Sequence, residues 1–444
     1  MARYRRFPED LCRGPGRRPG GLLRRLAGAC LLVAGSAFPV GAAEPVGLEP
    51  SRLSLSLSGF VQADVYAYRQ DSQDQLDNGS GQPLNETRFL IRRARLRAQA
   101  EARALPTLPL GVVLELDGST VSGAQARLLG AEVWAAWAGP TEPRPWLSAG
   151  LGLFKIPFGR EVQEYDPDRV FLERSRVVQA LFPGEYDLGL RLHGAFRFLR
   201  YAVALMNGAP AGDVQFALRD PNRSKDLLGR VGIDAAPWGW LALRVGVSGL
   251  WGTGFSPGSP ATKDSLSWRD DNDDGQVQLS ELLPLRGRAA VPSQDFSRDA
   301  LAADAQLVLR LPVVGALTLA AEILWARNLD RGLSPADPVA AGRDLRELGY
   351  YLSIVGELSR YGLWGLRYDH YDPDADSQQQ SGLARVPVSL AFSTLTATAG
   401  VTYPGLARLS IEYQHNQNGL GRGPGGLPTT LGRDALLLRA QGGF

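Results

Sequence analysis

The sequence predicts an all-β fold: a transmembrane antiparallel β-barrel of about sixteen strands, with long extracellular loops. Three observations lead there. The chain starts with the make-up of an export signal, segments of about ten residues then alternate apolar with polar side chains, and the connections between them run long and short in turn.

Residues 1–25 carry eight Arg against Glu9 and Asp10, and an uncharged apolar run follows from Leu26 to about Val40, ending in Gly41, Ala42 and Ala43. Charge, apolar core and small-residue exit are the parts of a secretory signal peptide, so residues 1–43 read as a signal cleaved after Ala42 or Ala43, and 44–444 as the barrel. A permanent anchor is the alternative, but the run is short for a bilayer and ends in a Pro-broken tail. Cys12 and Cys30 both fall inside the signal, which leaves the mature chain without a disulfide. Residues 1–43 hold eight Arg and two acids, a net of +6, so their removal takes the formal charge from +2 to −4. The basic balance therefore belongs to the signal and gives no argument for nucleic-acid binding.

Beyond the signal no uncharged run reaches the length of a membrane helix; the best, Leu311 to Ala321, is broken by Pro312 and Gly315. Period-two alternation recurs instead. Leu188, Leu190 and Leu192 oppose Asp187, Arg191 and His193. Leu241, Leu243, Val245, Val247 and Trp251 oppose Arg244 and Ser248, and Leu436, Leu438, Ala440 and Gly442 oppose Arg433, Arg439 and Gln441. Strands are predicted at 52–68, 86–103, 109–117, 128–138, 146–155, 187–196, 200–206, 224–235, 241–251, 301–310, 317–327, 345–358, 362–371, 390–402, 407–416 and 432–444.

A soluble sandwich alternates too, and loop lengths separate the two readings. The connection 69–85 is long and 104–108 short, 156–186 long and 197–199 short, 252–300 long and 311–316 short, 328–344 long and 359–361 short. A barrel whose ends lie in the periplasm needs short turns on that side and long loops outside. Phe444, outward by parity, suits a last strand closing on the first, and this aromatic end resembles the terminal signal that outer-membrane proteins present to their assembly machinery. Trp134, Trp137, Trp251, Trp325, Trp364, Tyr368 and Tyr350 fall near strand ends or outward positions, where aromatic girdles belong. Ordinary strand packing is the alternative for each.

Gly59-Phe60-Val61-Gln62-Ala63-Asp64 and Phe89-Leu90-Ile91-Arg92-Arg93-Ala94-Arg95-Leu96 resemble the first hairpin of the phosphate-selective porin O and P family of outer-membrane porins. Gly152-Leu153-Phe154-Lys155-Ile156-Pro157-Phe158-Gly159 resembles its strand leading into the constriction loop, Phe171-Leu172-Glu173-Arg174 the loop, and Arg439-Ala440-Gln441-Gly442-Gly443-Phe444 its end. The resemblance spans most of the mature chain. It implies a homotrimer of sixteen-stranded porin barrels in the bacterial outer membrane, with the third loop folded into the pore; it leaves selectivity open.

Parity sets Arg93, Arg95 and Arg97 on the polar face with Gln99 and Glu101, and Leu90, Ala94, Leu96, Ala98 and Ala100 toward lipid. Arg191, Arg230 and Arg244 join the inner face, and Arg160, Arg174 and Arg176 lie in the constriction loop 156–186. Stacked guanidiniums attract anions, and the planar fork suits phosphate. Glu115, Asp117, Glu132, Asp234, Asp304, Glu322, Asp369 and Glu412 are inward too, so the competing reading is the mixed lining of a general porin passing small hydrophilic solutes.

Within loop 252–300, the segment 270–281 matches a calcium loop. Asp270, Asn272 and Asp274 fill positions 1, 3 and 5, Gly275 makes the turn, Gln276 offers its carbonyl and Glu281 stands at position 12. An acidic solvated loop tip is the alternative. Two other functions compete with a channel: a structural or adhesive barrel using the long loop, and a barrel-embedded hydrolase. For the latter His193, His370 and His415 have no serine and acid at a suggestive sequence spacing, and no enzyme activity is expected.

Overall fold

The structure, a computed structural model, describes residues 53–68, 87–105, 108–121, 123–137, 144–268, 275–311, 315–358, 361–381, 384–387, 389–418 and 431–444. The predicted signal, 1–43, lies outside them. In chain order the strands are β1 (Leu53–Tyr68), β2 (Arg88–Leu105), β3 (Leu108–Ser119), β4 (Gln125–Trp137), β5 (Leu147–Lys155), β6 (Tyr186–Phe196), β7 (Leu199–Met206), β8 (Asp226–Trp238), β9 (Leu241–Ser256), β10 (Ser265–Trp268) and β11 (Leu282–Leu285). There follow β12 (Gln294–Leu311), β13 (Gly315–Arg327), β14 (Arg346–Leu358), β15 (Gly362–Asp372), β16 (Gln378–Ser381), β17 (Ala384–Pro387), β18 (Phe392–Tyr403), β19 (Ala407–Asn418) and β20 (Leu431–Gly443).

Sixteen of these, all but β10, β11, β16 and β17, pair with their neighbours in one closed antiparallel barrel. β1 pairs β20 from Phe60↔Gly443 to Tyr68↔Ala435, which leaves no sheet edge. Every predicted strand overlaps one barrel strand. The largest difference is at β9 and β12, which pair up to Ser256↔Gln294 and so carry a ribbon five and seven residues into the segment 252–300. Glycine and polar side chains replace the apolar alternation there, because both faces are wet beyond the lipid. The hairpins β10–β11 and β16–β17 sit in the loops above.

The strict alternation of loop lengths fails at one place. Segment 120–124 joins β3 to β4 on the extracellular side, while 138–146 joins β4 to β5 on the periplasmic side and is longer. Elsewhere the periplasmic turns are tight; Arg197 (φ 53) turns β6 into β7 and Gly405 (φ 78) turns β18 into β19.

Outward positions are apolar and exposed all round: Leu151, Val203, Val247, Leu301, Leu352, Val401 and Leu409 are each about half exposed or more. A contiguous apolar belt of this extent is tolerated against lipid and not against water. Trp238 stacks on Trp240 at 5.5 Å, and Trp137 lies 6.3 Å from Trp146, both at the periplasmic rim, as a girdle requires. Trp134 is a correction: it shares the inward parity of Glu132, and its ring covers the inner face of Gly111 on β3.

A bulge produces a second correction. The β1–β2 register jumps between Gln62↔Arg93 and Ala63↔Ile91, so residues before Arg92 change face. Leu90, expected toward lipid, is buried inside beside Tyr66, Leu172, Ala435 and Leu437.

Candidate functional site

The connection from Ile156 to Glu185 folds into the barrel. Ile156, Phe158, Val162, Val177, Val178, Ala180, Leu181 and Phe182 are buried in one apolar cluster with Phe154, Met206, Leu228, Leu250, Ala300, Ala302 and Leu324 from the inner wall. The short helix α1 (Arg176–Leu181) supplies four of them, and Val177 presses on Gly349 of β14, where an added Cβ would collide with the valine. At about 1.5–3 kcal/mol for each large apolar side chain buried, this seat outweighs the tendency of a loop to stay in water. The sequence at Pro157-Phe158-Gly159 makes the entry: Gly159 takes φ 58, and a Cβ there would meet Glu322.

Polar pins complete the circuit. Glu322 of β13 accepts the backbone N–H of Arg160 (2.9 Å) and Glu161 (3.1 Å), Asp369 of β15 that of Arg176 (3.1 Å) and Glu412 of β19 that of Leu172 (2.8 Å). Gly159 N–H reaches Ser248 of β9 at 3.0 Å. In the other direction Arg439 of β20 donates to the Leu172 carbonyl (2.7 Å), Arg408 of β19 to that of Arg169 (2.5 Å) and Gln441 to that of Pro167 (3.0 Å). The loop thus crosses the lumen and is held on the far wall by its backbone. A later extracellular loop, 328–345, lies over it: Arg331 N–H bonds the Ala180 carbonyl at 3.0 Å, and buried Asp330 accepts the Tyr371 hydroxyl at 2.6 Å.

The arginines expected to line the pore are all inside, but most are spent on carboxylates. Arg93 lies 3.4 Å from Asp166 and 3.8 Å from Glu173, and Arg95 bonds Asp166 and approaches Asp117 (3.5 Å) and Glu115 (3.8 Å). Arg97 is 3.5 Å from Glu115 and more open to water. Arg191 grips Glu132 with two bonds at 2.7 and 2.6 Å, and Arg230 grips Asp304 at 2.5 and 2.9 Å. Arg244 faces Asp234 at 3.4 Å. Within the loop Arg160 donates to the Tyr351 hydroxyl (2.9 Å), Arg174 to the carbonyls of Phe182 (2.7 Å) and Pro183 (3.2 Å), and Arg176 to Asn416 (3.1 Å).

Arg439, inward by parity as expected, and Arg92, which parity did not place inside, belong to the same network. Arg92, carried inward by the bulge, holds Glu173 with two bonds at 2.6 and 2.8 Å, and Arg439 holds Asp64 at 2.8 and 2.7 Å. Adjacent Arg92 and Arg93 on one strand signal a bulge in the sequence, since regular pairing would turn one of them into lipid. Burial raises the carboxyls of Asp166, Glu173 and Glu185, and cations outweigh it. Arg169, Arg95 and Arg93 hold Asp166, and Arg92, Arg93 and Arg439 hold Glu173, well below the usual carboxylate range. Arg169, with Lys155 and Arg174, brings Glu185 down to about 2. A network of this kind keeps its charges at neutral pH and fixes the loop.

The loop's exposed residues are Gln163 and Asp168, and Arg160, Glu164, Glu173 and Arg176 are among those half-buried. Toward the periplasm the inner wall opens, with Arg97, Arg200, Asp234 and Arg244 all reached by solvent.

Of the expected calcium ligands, Asp270, Asn272 and Asp274 lie outside the described residues. Glu281 is buried and accepts the Trp268 indole N–H (2.9 Å) and the Gln278 N–H (3.2 Å); Gln276 is exposed. His370 has a serine neighbour that sequence spacing does not reveal, with Nδ1 2.9 Å from Ser393 Oγ; the pair faces outward, stacked against Tyr350 at 5.3 Å. His193 points into the lumen, and His415 bonds Asp434 at 2.8 Å on the outer side.

No protein-family profile and no curated protein sequence matches the chain. Solved structures do match its fold. An anion-selective porin from Comamonas acidovorans aligns with a TM-score of 0.54 at 12% identity, over 88% of this chain and 100% of that one. The outer-membrane channel DcaP of Acinetobacter baumannii aligns at 0.53 and 11% identity, over 90% and 99%. The outer-membrane protein OmpT of Vibrio cholerae, in a trimer form, aligns at 0.50 and 8% identity, over 88% and 100%. At these identities the likeness is one of fold: a closed sixteen-stranded barrel of the kind found in outer membranes.

Proposed function

We propose that this chain is an outer-membrane channel for passive diffusion of small hydrophilic solutes, narrowed by the loop 156–185. The observation that carries it is the opposition of faces. Apolar residues ring the outside and charged residues ring the inside, with a pinned loop across the lumen between extracellular loops and a solvated periplasmic half. The barrel architectures of the Comamonas porin and the Acinetobacter channel support the same reading.

Selectivity for phosphate, which the family resemblance suggests, is not carried by the arginine ladder of β2. Arg93 and Arg95 are neutralised by Asp166, Glu173, Glu115 and Asp117, so the constriction is a mixed-charge wall. A homotrimer is proposed with the channel, in line with the trimer form of the Vibrio protein. One experiment covers both: purified protein in a planar bilayer should give large ohmic steps, with closures in groups of three. Absence of steps from correctly folded protein would sink the channel and favour the adhesive barrel. Calcium in segment 270–281 is proposed on its sequence alone, with affinity of about 10⁻⁴–10⁻³ M as for extracellular loops. Calcium titration of the folded protein lacking any saturable millimolar binding ends it.

A further inference from the structure

We propose that the periplasmic half of the lumen carries a binding platform for a neutral pyranose sugar, with the Trp134 indole as its floor and Glu101 and His193 at its edges. The proposal rests on the channel reading and names a solute class for it.

One row of paired residues crosses five strands here. Glu101 of β2 pairs Gly111 of β3, Gly111 pairs Trp134 of β4, Trp134 pairs Gly150 of β5, and Gly150 pairs Arg191 of β6. All five share the inward face, so the one large ring of the row has a glycine on either side. An added Cβ at Gly111 would collide with the indole, which therefore lies along the wall over β3 and turns its other face to the lumen. At Gly150 an added Cβ would collide with Glu132, whose carboxylate reaches across that strand to the two bonds of Arg191. The first glycine lays the ring flat, and the second admits a fixed polar ridge beside it.

Trp134 differs from the other aromatic side chains of the inner wall. Phe60, Phe154, Tyr351 and Tyr371 are 4% exposed or less, packed against the in-folded loop or the loop over it. Trp134 is half-buried, clear of both, where the wall opens toward the periplasm. Neighbouring strands are about 4.8 Å apart, so Glu101 and Arg191 stand about 10 Å to either side of it, room for one sugar ring between them. Glu101 lies 3.2 Å from Arg103, which is 57% exposed, and the carboxylate keeps lone pairs for a further donor. On the next inward row Ala136 pairs Ser148 and Ser148 pairs His193. The His193 ring is half-buried and makes no hydrogen bond among the described residues, and the Ser148 hydroxyl, 3% exposed, has no partner. This corner of the wall thus has hydrogen-bonding capacity that the chain itself does not use.

The charges decide what kind of solute fits. Glu101 is paired with Arg103 and Glu132 with Arg191, so the platform offers no excess of either sign to an ion. A pyranose presents a face of C–H groups, slightly positive, to the negative face of an indole, and hydroxyls around its rim to a carboxylate and an imidazole. An open-chain polyol has the hydroxyls without the face, and a planar aromatic has the face without the hydroxyls.

The test is saturation-transfer NMR on the full chain folded in lauryldimethylamine oxide, a detergent without sugar. Methyl β-glucopyranoside is the probe, with sorbitol and phenol as comparisons, and bilayer current is recorded as the glucoside is added on the periplasmic side. Wild type should pass saturation to the ring C–H protons of the glucoside with a saturable dependence on concentration, and not to sorbitol, while the current falls along the same curve. Trp134→Ala should weaken the glucoside about tenfold, and Trp134→Phe, which keeps a flat face, only about threefold. Because Trp134→Ala also uncovers Gly111, the pair Glu101→Gln with His193→Ala removes the edges and leaves the floor in place. It should weaken the glucoside about tenfold in protein that keeps the gel mobility of a folded barrel. No transfer to the glucoside from wild type, equal transfer to sorbitol, or unchanged affinity in both Trp134→Ala and the edge pair overturns the platform. A phenol response larger than that of the glucoside assigns the floor to aromatic solutes and overturns the sugar. Saturable binding without any current would overturn the channel and leave the platform standing, and current without saturable binding would do the reverse.

Discussion

Replacing Asp166 by Asn together with Glu173 by Gln is expected to make the channel strongly anion-selective, raising the chloride-to-potassium permeability ratio about tenfold. The reasoning starts from which charges cancel. Asp166 is buried against Arg93, Arg95 and Arg169, and Glu173 against Arg92, Arg93 and Arg439. Both acids sit on the loop and the arginines mostly on the wall, so neutralising the acids adds two positive charges to the narrowest section. At an effective dielectric of about 40 and a distance of about 8 Å, each contributes about 1 kcal/mol to the energy of a passing ion before salt screening reduces it, with opposite sign for chloride and potassium. The zero-current potential in a salt gradient reads the result. Arg93→Gln with Arg95→Gln leaves the acids uncompensated and should move the potential the other way. A change in current with no change in potential from either pair means that the loop has shifted while these groups lie outside the ion path.

The reversal of roles at Arg93 and Arg95 indicates what a sequence discloses about such a site. Alternation is local, so the strands, their faces and the fact that the arginines point inward are readable within ten-residue windows. Charge pairing is not local. Arg439 meets Asp64 across the barrel seam at a separation of 375 residues, and Arg95 meets Asp166 at 71, so the same residues read as an open ladder until closure brings the acids in. Parity also fails at a bulge, which one inserted residue suffices to make, and Leu90 lies on the face opposite to its parity for that reason.

The inner wall carries a further signal in its sequence. Met206, Leu228, Leu250, Ala300, Ala302 and Leu324 occupy the positions whose parity elsewhere is polar, and all are in the extracellular half of β7, β8, β9, β12 and β13. Strands that are apolar on both faces are covered on both faces. Lipid covers the outside; the cover inside is the apolar part of the loop, Val162 and α1. A run of apolar inward positions along one arc of a barrel is therefore enough, from the residue pattern alone, to locate the seat of an in-folded loop.

That seat gives the second large expectation. Val178→Asp should release the loop while the barrel stays closed. Val178 is fully buried in the apolar cluster that α1 forms with the inner wall. An uncompensated buried charge costs about 3–5 kcal/mol, which raises the population of the detached loop by about 10²–10⁴. The barrel strands keep their ladder pairing, because the loop contributes no ladder hydrogen bonds to them. Limited trypsin digestion of the detergent-folded protein separates the outcomes, since Arg169, Arg174 and the bond after Arg176 are shielded in the seated loop. Wild type should resist cleavage there, and the variant should be cut rapidly while retaining the mobility of a folded barrel on an unheated gel. Equal resistance in the two proteins would mean that the polar pins from Glu322, Asp369, Glu412 and Arg439 hold the loop without its apolar seat. The balance of forces argued for the lumen would then be reversed, with backbone hydrogen bonding to wall charges, rather than burial of α1, fixing the width of the passage.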